Sequence, residues 1–225
     1  MRPVDKGKAP KVYSKYGEAR HDLAKKIGYY CSYCEMKVMN SIEVEHILPR
    51  NRGGEVLDWN NFLLSCKYCN TIKNDHNDNL SDYLWPDIDN TDLAFSYSET
   101  KEIKPKHSIS HALKTLTKNS IKLMGLDRLP GGENSPTESD TRWRSRQMTW
   151  NLARLSYNDW KEAPILQMAK QIAKTSLNGH YSIWISVFKN EQIVLEEIDN
   201  LYFDIGLYKM FSQTAERKIR TNGNL

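Results

Sequence analysis

The chain has 225 residues, a formal net charge of +4, 39% hydrophobic and 27% charged residues. That make-up fits a globular protein long enough for one large domain or two small ones. No apolar run approaches the ~20 residues that span a bilayer, which argues against a membrane helix, and one basic face would suffice for a nucleic-acid partner.

Residues 1–12 mix Lys, Arg, Pro and Gly and read as an extended arm, with Arg2, Lys6, Lys8 and Lys11 available to phosphates; a solvated tail fits equally well. Ser14 is placed to cap a helix to about Ile27, which Gly28 ends. All four cysteines follow in two Cys-x-x-Cys pairs, Cys31/Cys34 and Cys66/Cys69. Each pair turns two sulfurs the same way, and four thiolates at this spacing close a tetrahedral Zn²⁺ site. Disulfides would need an oxidising compartment, and no secretory signal precedes the pairs, so reduced thiols and a cytoplasmic location are expected. Such a site is coordinatively closed and therefore structural.

Between the pairs, Ile42-Glu43-Val44-Glu45 alternates like a short strand that ends at His46, before Pro49 and the loop Arg50-Asn51-Arg52-Gly53-Gly54. Asn60-Asn61-Phe62-Leu63-Leu64-Ser65 returns toward the second pair, and a helix is expected from Asn70. Asn70 and Asn74 then share a helix face. Glu45, Asn70 and Asn74 offer oxygen ligands suited to Mg²⁺ or Mn²⁺. His46 beside them is able to take a proton from water. Together these groups suit phosphodiester hydrolysis. Lys37, Arg50, Arg52, Lys67 and Lys73 surround this stretch as candidate phosphate contacts, against the alternative of a solvated charged face.

Residues 77–105 read as a connector packed by aromatics. An amphipathic helix is expected over 108–124, then a Gly/Pro/Ser loop over 125–140. Asp140 or Thr141 is placed to cap a helix carrying Arg142, Trp143, Arg144 and Arg146. These side chains suit either nucleic acid or a protein interface. Pro164 predicts a helix break, with the next helix running to Leu177. Residues 180–211 suggest short helices around ordinary core, with a strand over 183–188 as the alternative. The tail after Thr214 is expected to fray.

The ordered set C-x-x-C, acid-His-Ile-x-Pro, Gly-Gly, Asn-Phe-Leu-Leu and C-x-x-C-Asn-x-x-Lys resembles the HNH (ββα-metal, His-Me finger) nucleases. The resemblance implies a zinc-stabilised ββα-metal finger, placed within residues 1–86. With the helices expected after it the fold class is α+β, and the mainly helical part over 87–225, which holds most of the long apolar faces, is expected to dock a partner. The resemblance implies that His46 is the general base, Glu45 the adjacent metal ligand, Asn61 the brace of the loop carrying the base, and Asn70 a further metal ligand. Two departures stand out: Glu replaces the commoner Asp or His at position 45, and Asn70 replaces the final His of the family name. Residues 1–7, Pro10, residues 13–27 and Gly28-Tyr29-Tyr30-Cys31-Ser32-Tyr33-Cys34-Glu35 are similar to the HNH subunits of Septu antiphage systems, some of which occur beside retrons. That likeness implies an ABC/SMC-type ATPase partner and leaves open a retron reverse transcriptase with its msDNA. DNA is the default substrate, with tRNA open. The competing readings are a zinc-stabilised nucleic-acid-binding module without cleavage and an adaptor with a vestigial centre.

One zinc per chain is expected from elemental analysis of the purified protein. Replacing any of the four cysteines with Ser should unfold the finger, because zinc binding is folding free energy here. A fully folded, zinc-free protein would contradict this.

Overall fold

The structure, a computed structural model, describes residues 1–100, 102–204, 219–221 and 223–225. The expected helical stretch through Tyr208 and Phe211 and the start of the tail after Thr214 lie outside the described residues.

Helix α1, Ala19–Ile27, follows a short 3-10 turn and ends where Gly28 takes φ 76°. Its Leu23, Ala24 and Ile27 are buried against the finger. Strand β1, Glu43–His46, pairs antiparallel with β2, Phe62–Ser65, in the register Glu45 opposite Leu63 and His46 opposite Phe62. Helix α2, Lys67–Lys73, begins three residues earlier than expected. The reason is local: Cys66 is its N-cap, with Sγ accepting from the Cys69 amide at 3.4 Å. One Cys-x-x-Cys knuckle thus also serves as the helix start.

The connector contains an unforeseen hairpin, β3 (Phe95–Tyr97) with β4 (Ile103–Pro105). Then come α3 (His111–Leu123), α4 (Arg142–Glu162), α5 (Leu166–Ser176), α6 (Tyr181–Val187) and α7 (Gln192–Asp204). Ser110 caps α3 through Leu113 N, and residues 163–165 separate α4 from α5, as Pro164 requires. Two apolar clusters form. One gathers the N-terminus, α1, the finger, Trp85, Phe95 and the end of α3; the other gathers Trp160, Ile172, Trp184, Phe188 and Ile198 of α4–α7.

The first residues are not a free arm. Met1–Val4 and Lys6 are buried. Lys6 Nζ pairs with Asp87 at 2.6 Å and donates to the carbonyls of Asn60 and Phe62. Arg2 donates to Ile27 O and lies over the rings of Tyr30 and Tyr202. Lys8 and Lys11 remain exposed. The described end of the tail is tied down as well: Arg220 donates to Pro86 O and Asp89 O, and Asn224 N to Asp89.

Two buried side chains join the finger to the helices. Glu35 directly follows the first knuckle at φ 64°, a left-handed conformation that costs a non-glycine residue about 1 kcal/mol. Its carboxylate compensates by accepting from Arg2 N, Tyr97 OH, Ser182 N and Ser182 Oγ at 2.7–3.0 Å. Its carbonyl accepts from His180 N at 2.9 Å. Arg142, expected to be free for a ligand, is instead 2% exposed with every N–H used. Nε and Nη2 donate to the Asp140 carboxylate at 2.8 Å, Nη2 also to Gly125 O at 3.0 Å, and Nη1 to Met124 O at 2.8 Å and Cys69 Sγ at 3.1 Å. Arg144, its neighbour but one, stays exposed over the Trp143 ring.

Arg142→Met strands the buried Asp140 carboxylate and removes a donor to a zinc-ligand sulfur. The variant should be less stable by about 3–5 kcal/mol, measured by chemical denaturation of the zinc-loaded protein. A loss below about 1 kcal/mol would contradict the structural role given to this fork.

Candidate active site

The four cysteine sulfurs lie within 4.8 Å of one another, all buried and none in a disulfide. Cys34 Sγ and Cys66 Sγ are 3.7 Å apart. A Zn–S bond of about 2.3 Å at tetrahedral angles separates sulfurs by about 3.8 Å, so the cluster fits zinc and is far too open for a disulfide. The site joins the turn before β1 to the start of α2 and so fixes both against the hairpin.

On the outer side of this frame lies a cleft of about 690 Å³, lined by Glu45, His46, Pro49, Arg50, Asn51, Asn70, Thr71, Asn74 and Asp75. The ligand candidates Glu45, Asn70 and Asn74 and the base candidate His46 therefore all line this cleft. Asn74 closes α2 at φ 43°, its amide bonded to Asn70 O.

His46 is half-buried, between the rings of Tyr16 at 4.9 Å and Phe62 at 5.3 Å. Its Nε2 lies 3.0 Å from Val56 O. A carbonyl only accepts, so Nε2 carries the proton and Nδ1 keeps the lone pair. Desolvation pulls the imidazole below its ordinary pKa, and the charges of Arg50 and Lys73 add to this, against the pull of the Val56 bond. Neutral imidazole is thus the form held at neutral pH.

Val56 O is delivered by the loop over 48–60, which Asn61 holds. Asn61 Oδ1 accepts from Leu48 N at 2.7 Å, and Nδ2 donates to Leu48 O and Glu55 O at 3.0 and 2.9 Å. Gly54 allows the loop to fold this closely, since a Cβ there would sit 1.9 Å from Leu48 O. Asn61 therefore anchors Glu55 O, one residue before the carbonyl that sets the His46 tautomer, and does not itself line the cleft.

Glu45 is held deep. Its Oε1 is 2.5 Å from Lys73 Nζ, and its Oε2 accepts from Tyr33 OH. Burial raises the carboxyl pKa, while Lys73 and Tyr33 oppose that rise. Lys73 also donates to His46 O at 2.8 Å. Among the candidate phosphate contacts, Lys73 is corrected by this burial: at 1% exposure it neutralises Glu45 and meets no phosphate. Lys67 is exposed beside Tyr68 and Arg128, on a hollow next to the cleft. Arg52 is tied to Asp75 O and Asp78, which leaves Arg50 as the cation on the cleft wall. His76 faces a different hollow, with Asp82 and Tyr83.

Three contributors escaped the sequence reading. Tyr33 between the zinc cysteines carries no signal of its own. The Val56 carbonyl is invisible to side-chain motifs. Glu43, which accepts from Asn70 Nδ2 at 2.7 Å, is hinted at only by its i, i+2 spacing from Glu45.

The HNH endonuclease family model matches residues 31–76, the span of both cysteine pairs, β1, β2 and α2. This segment is an HNH domain. A longer stretch is similar to a curated relative, the Septu protein PtuB of Bacillus thuringiensis, with 33% identity over 87 residues. That match covers 35% of this chain and 34% of the relative, so it spans about a third of each.

Asn61→Ala frees the loop at two carbonyls and one amide. Histidine ¹⁵N NMR should show His46 moving from the Nε2–H form toward a mixture of tautomers, with about 1–3 kcal/mol lost from stability. An unchanged His46 spectrum would contradict the bracing role.

Proposed function

We propose that the chain is a metal-dependent HNH endonuclease that hydrolyses DNA phosphodiester bonds, the effector of an antiphage defence complex with an ABC/SMC-type ATPase. The observation that carries the reading is His46: a neutral imidazole with Nε2 committed to Val56 O, on the wall of a cleft that also holds Glu45, Asn70 and Asn74.

In this reading Nδ1 of His46 takes a proton from the attacking water as the new P–O bond forms. Arg50 supplies positive charge to the phosphate. Glu45 and Asn70, with Asn74 beside them, would hold a hard cation through oxygen atoms, and their donor chemistry suits Mg²⁺ or Mn²⁺. When bound, that ion stabilises charge on the phosphate and the leaving oxygen. Lys73 offsets part of the cost of burying the Glu45 carboxylate, and Asn61 maintains the loop. A pure binding module has no use for an oriented base beside an oxygen-rich ligand set.

The defence setting rests on the likeness to the Septu protein. The helical part provides a docking surface in this proposal. Met148, Leu152 and Leu155 form an exposed apolar stripe on α4, and Met36, Met148 and Leu152 line a neighbouring groove. Within the described residues no helix is long and apolar enough to cross a membrane.

The protein, purified with a candidate ABC/SMC-type ATPase partner, should cut plasmid DNA with Mg²⁺ or Mn²⁺. His46→Ala should lower the rate by about 10²–10⁴-fold with zinc content unchanged. Cleavage at the parental rate by His46→Ala would remove the assignment, and cleavage of total RNA in place of plasmid would move the substrate to RNA. Because desolvation depresses the folded-state pKa of His46, the base form persists to lower pH than that of a free imidazole. Activity limited by this group should therefore hold through neutral pH and fall with an apparent pKa below 6.5. A rate that falls with an apparent pKa above 6.5 would contradict the desolvated environment.

A further inference from the structure

Strand β1 presents Glu43 and Glu45 at i, i+2 toward α2, and α2 answers with Asn70 and Lys73 at i, i+3. Glu45 takes the charged partner, Lys73 at 2.5 Å. Glu43 takes the neutral one: Asn70 Nδ2 donates to Glu43 Oε2 at 2.7 Å. Glu43 is half-buried and does not line the cleft, whereas Asn70 does.

The direction of this bond is set by chemistry. An ionised carboxylate only accepts, so the Asn70 atom facing Glu43 has to be the NH₂ group. An amide otherwise rotates freely between two nearly equivalent orientations. One turns Oδ1 toward a cation, and the other turns N–H bonds toward it and repels it. With Nδ2 fixed on Glu43, the carbonyl Oδ1 is the end left for the cleft. The negative charge behind the NH₂ group also polarises the amide and enriches its oxygen.

We infer that Glu43 is a positioning residue that locks the Asn70 amide with its carbonyl oxygen presented to a hard divalent cation. The inference rests on the proposed nuclease reading, in which Asn70 is a ligand. Glu43 acts through Asn70, as partners behind metal ligands generally do, and their loss typically weakens metal affinity about 10–100-fold.

The test uses the full-length, zinc-loaded protein and Mn²⁺ as probe. Binding is read from the EPR signal of free Mn²⁺, and cleavage is titrated with Mn²⁺ in parallel. Glu43→Ala should weaken Mn²⁺ binding at least tenfold and raise the Mn²⁺ needed for half-maximal cleavage by the same factor. The rate at saturating Mn²⁺ should return to within about twofold of the parent. Glu43→Asp, which keeps a charged acceptor on a shorter stem, should recover part of the affinity, and it carries the test should Glu43→Ala fail to fold. Equal Mn²⁺ affinity in parent and variants overturns the role of Glu43 and leaves the nuclease reading intact, as does a lost rate that excess Mn²⁺ does not restore. A parent protein that neither binds Mn²⁺ nor cleaves overturns the nuclease reading and this inference with it.

Discussion

The four-cysteine centre is the constraint on which the rest depends. Its hairpin has two strands of four residues, and α2 has seven residues. A two-stranded hairpin and a helix shorter than about 12 residues are both marginal alone in water. A zinc ion held by Cys31, Cys34, Cys66 and Cys69 would close the turn before β1 onto the start of α2. The energy of that closure would permit so small an element to hold side chains at fixed separations.

The finger nevertheless does not stand apart from the helices. Arg142 of α4 donates to Cys69 Sγ, with Asp140 and two carbonyls occupying its remaining N–H groups. Glu35 carries the opposite charge across the same boundary to Ser182, while Tyr30 of the finger packs in the helical core. A buried guanidinium beside thiolates and a buried carboxylate with four donors each tolerate little displacement, because separation leaves a charge uncompensated in low dielectric. Through these bonds the helical part and the zinc site hold one another in place. In the proposed defence complex, a partner seated on α4 would therefore sit on the same helix that supports the zinc cluster.

Around the cleft, charge is divided between two faces of β1. His46 lies among Tyr16, Phe62 and the Val56 carbonyl, an environment that favours neutral imidazole. Glu43 and Glu45 lie against α2, where Asn70, Lys73 and Tyr33 hold them. A strand turns successive side chains to opposite faces, so an acid followed directly by a histidine is a compact way to give base and ligand separate surroundings.

Much of this was legible in the sequence because its signals are local. Cys-x-x-Cys spacing, the Pro49 and Gly53-Gly54 turn, the stop at Gly28 and the break at Pro164 depend on backbone geometry within a few residues. The placing of Glu45, His46, Asn70 and Asn74 around one cleft followed from two strands and a helix gathered by the four cysteines. The tertiary structure alone decided the rest. Lys73 looks like any lysine at the rim of a nuclease motif, and only burial against Glu45 makes it an internal counter-ion. The first residues read as a basic arm, yet Arg2 and Lys6 find carbonyls and Asp87 far away in the chain. Arg142 reads as a surface cation until residues 124–125, Asp140 and Cys69 close around it. For a charged side chain, sequence spacing does not reveal whether water or a distant partner will solvate it, because that choice is made by groups many residues away brought together only in the folded chain.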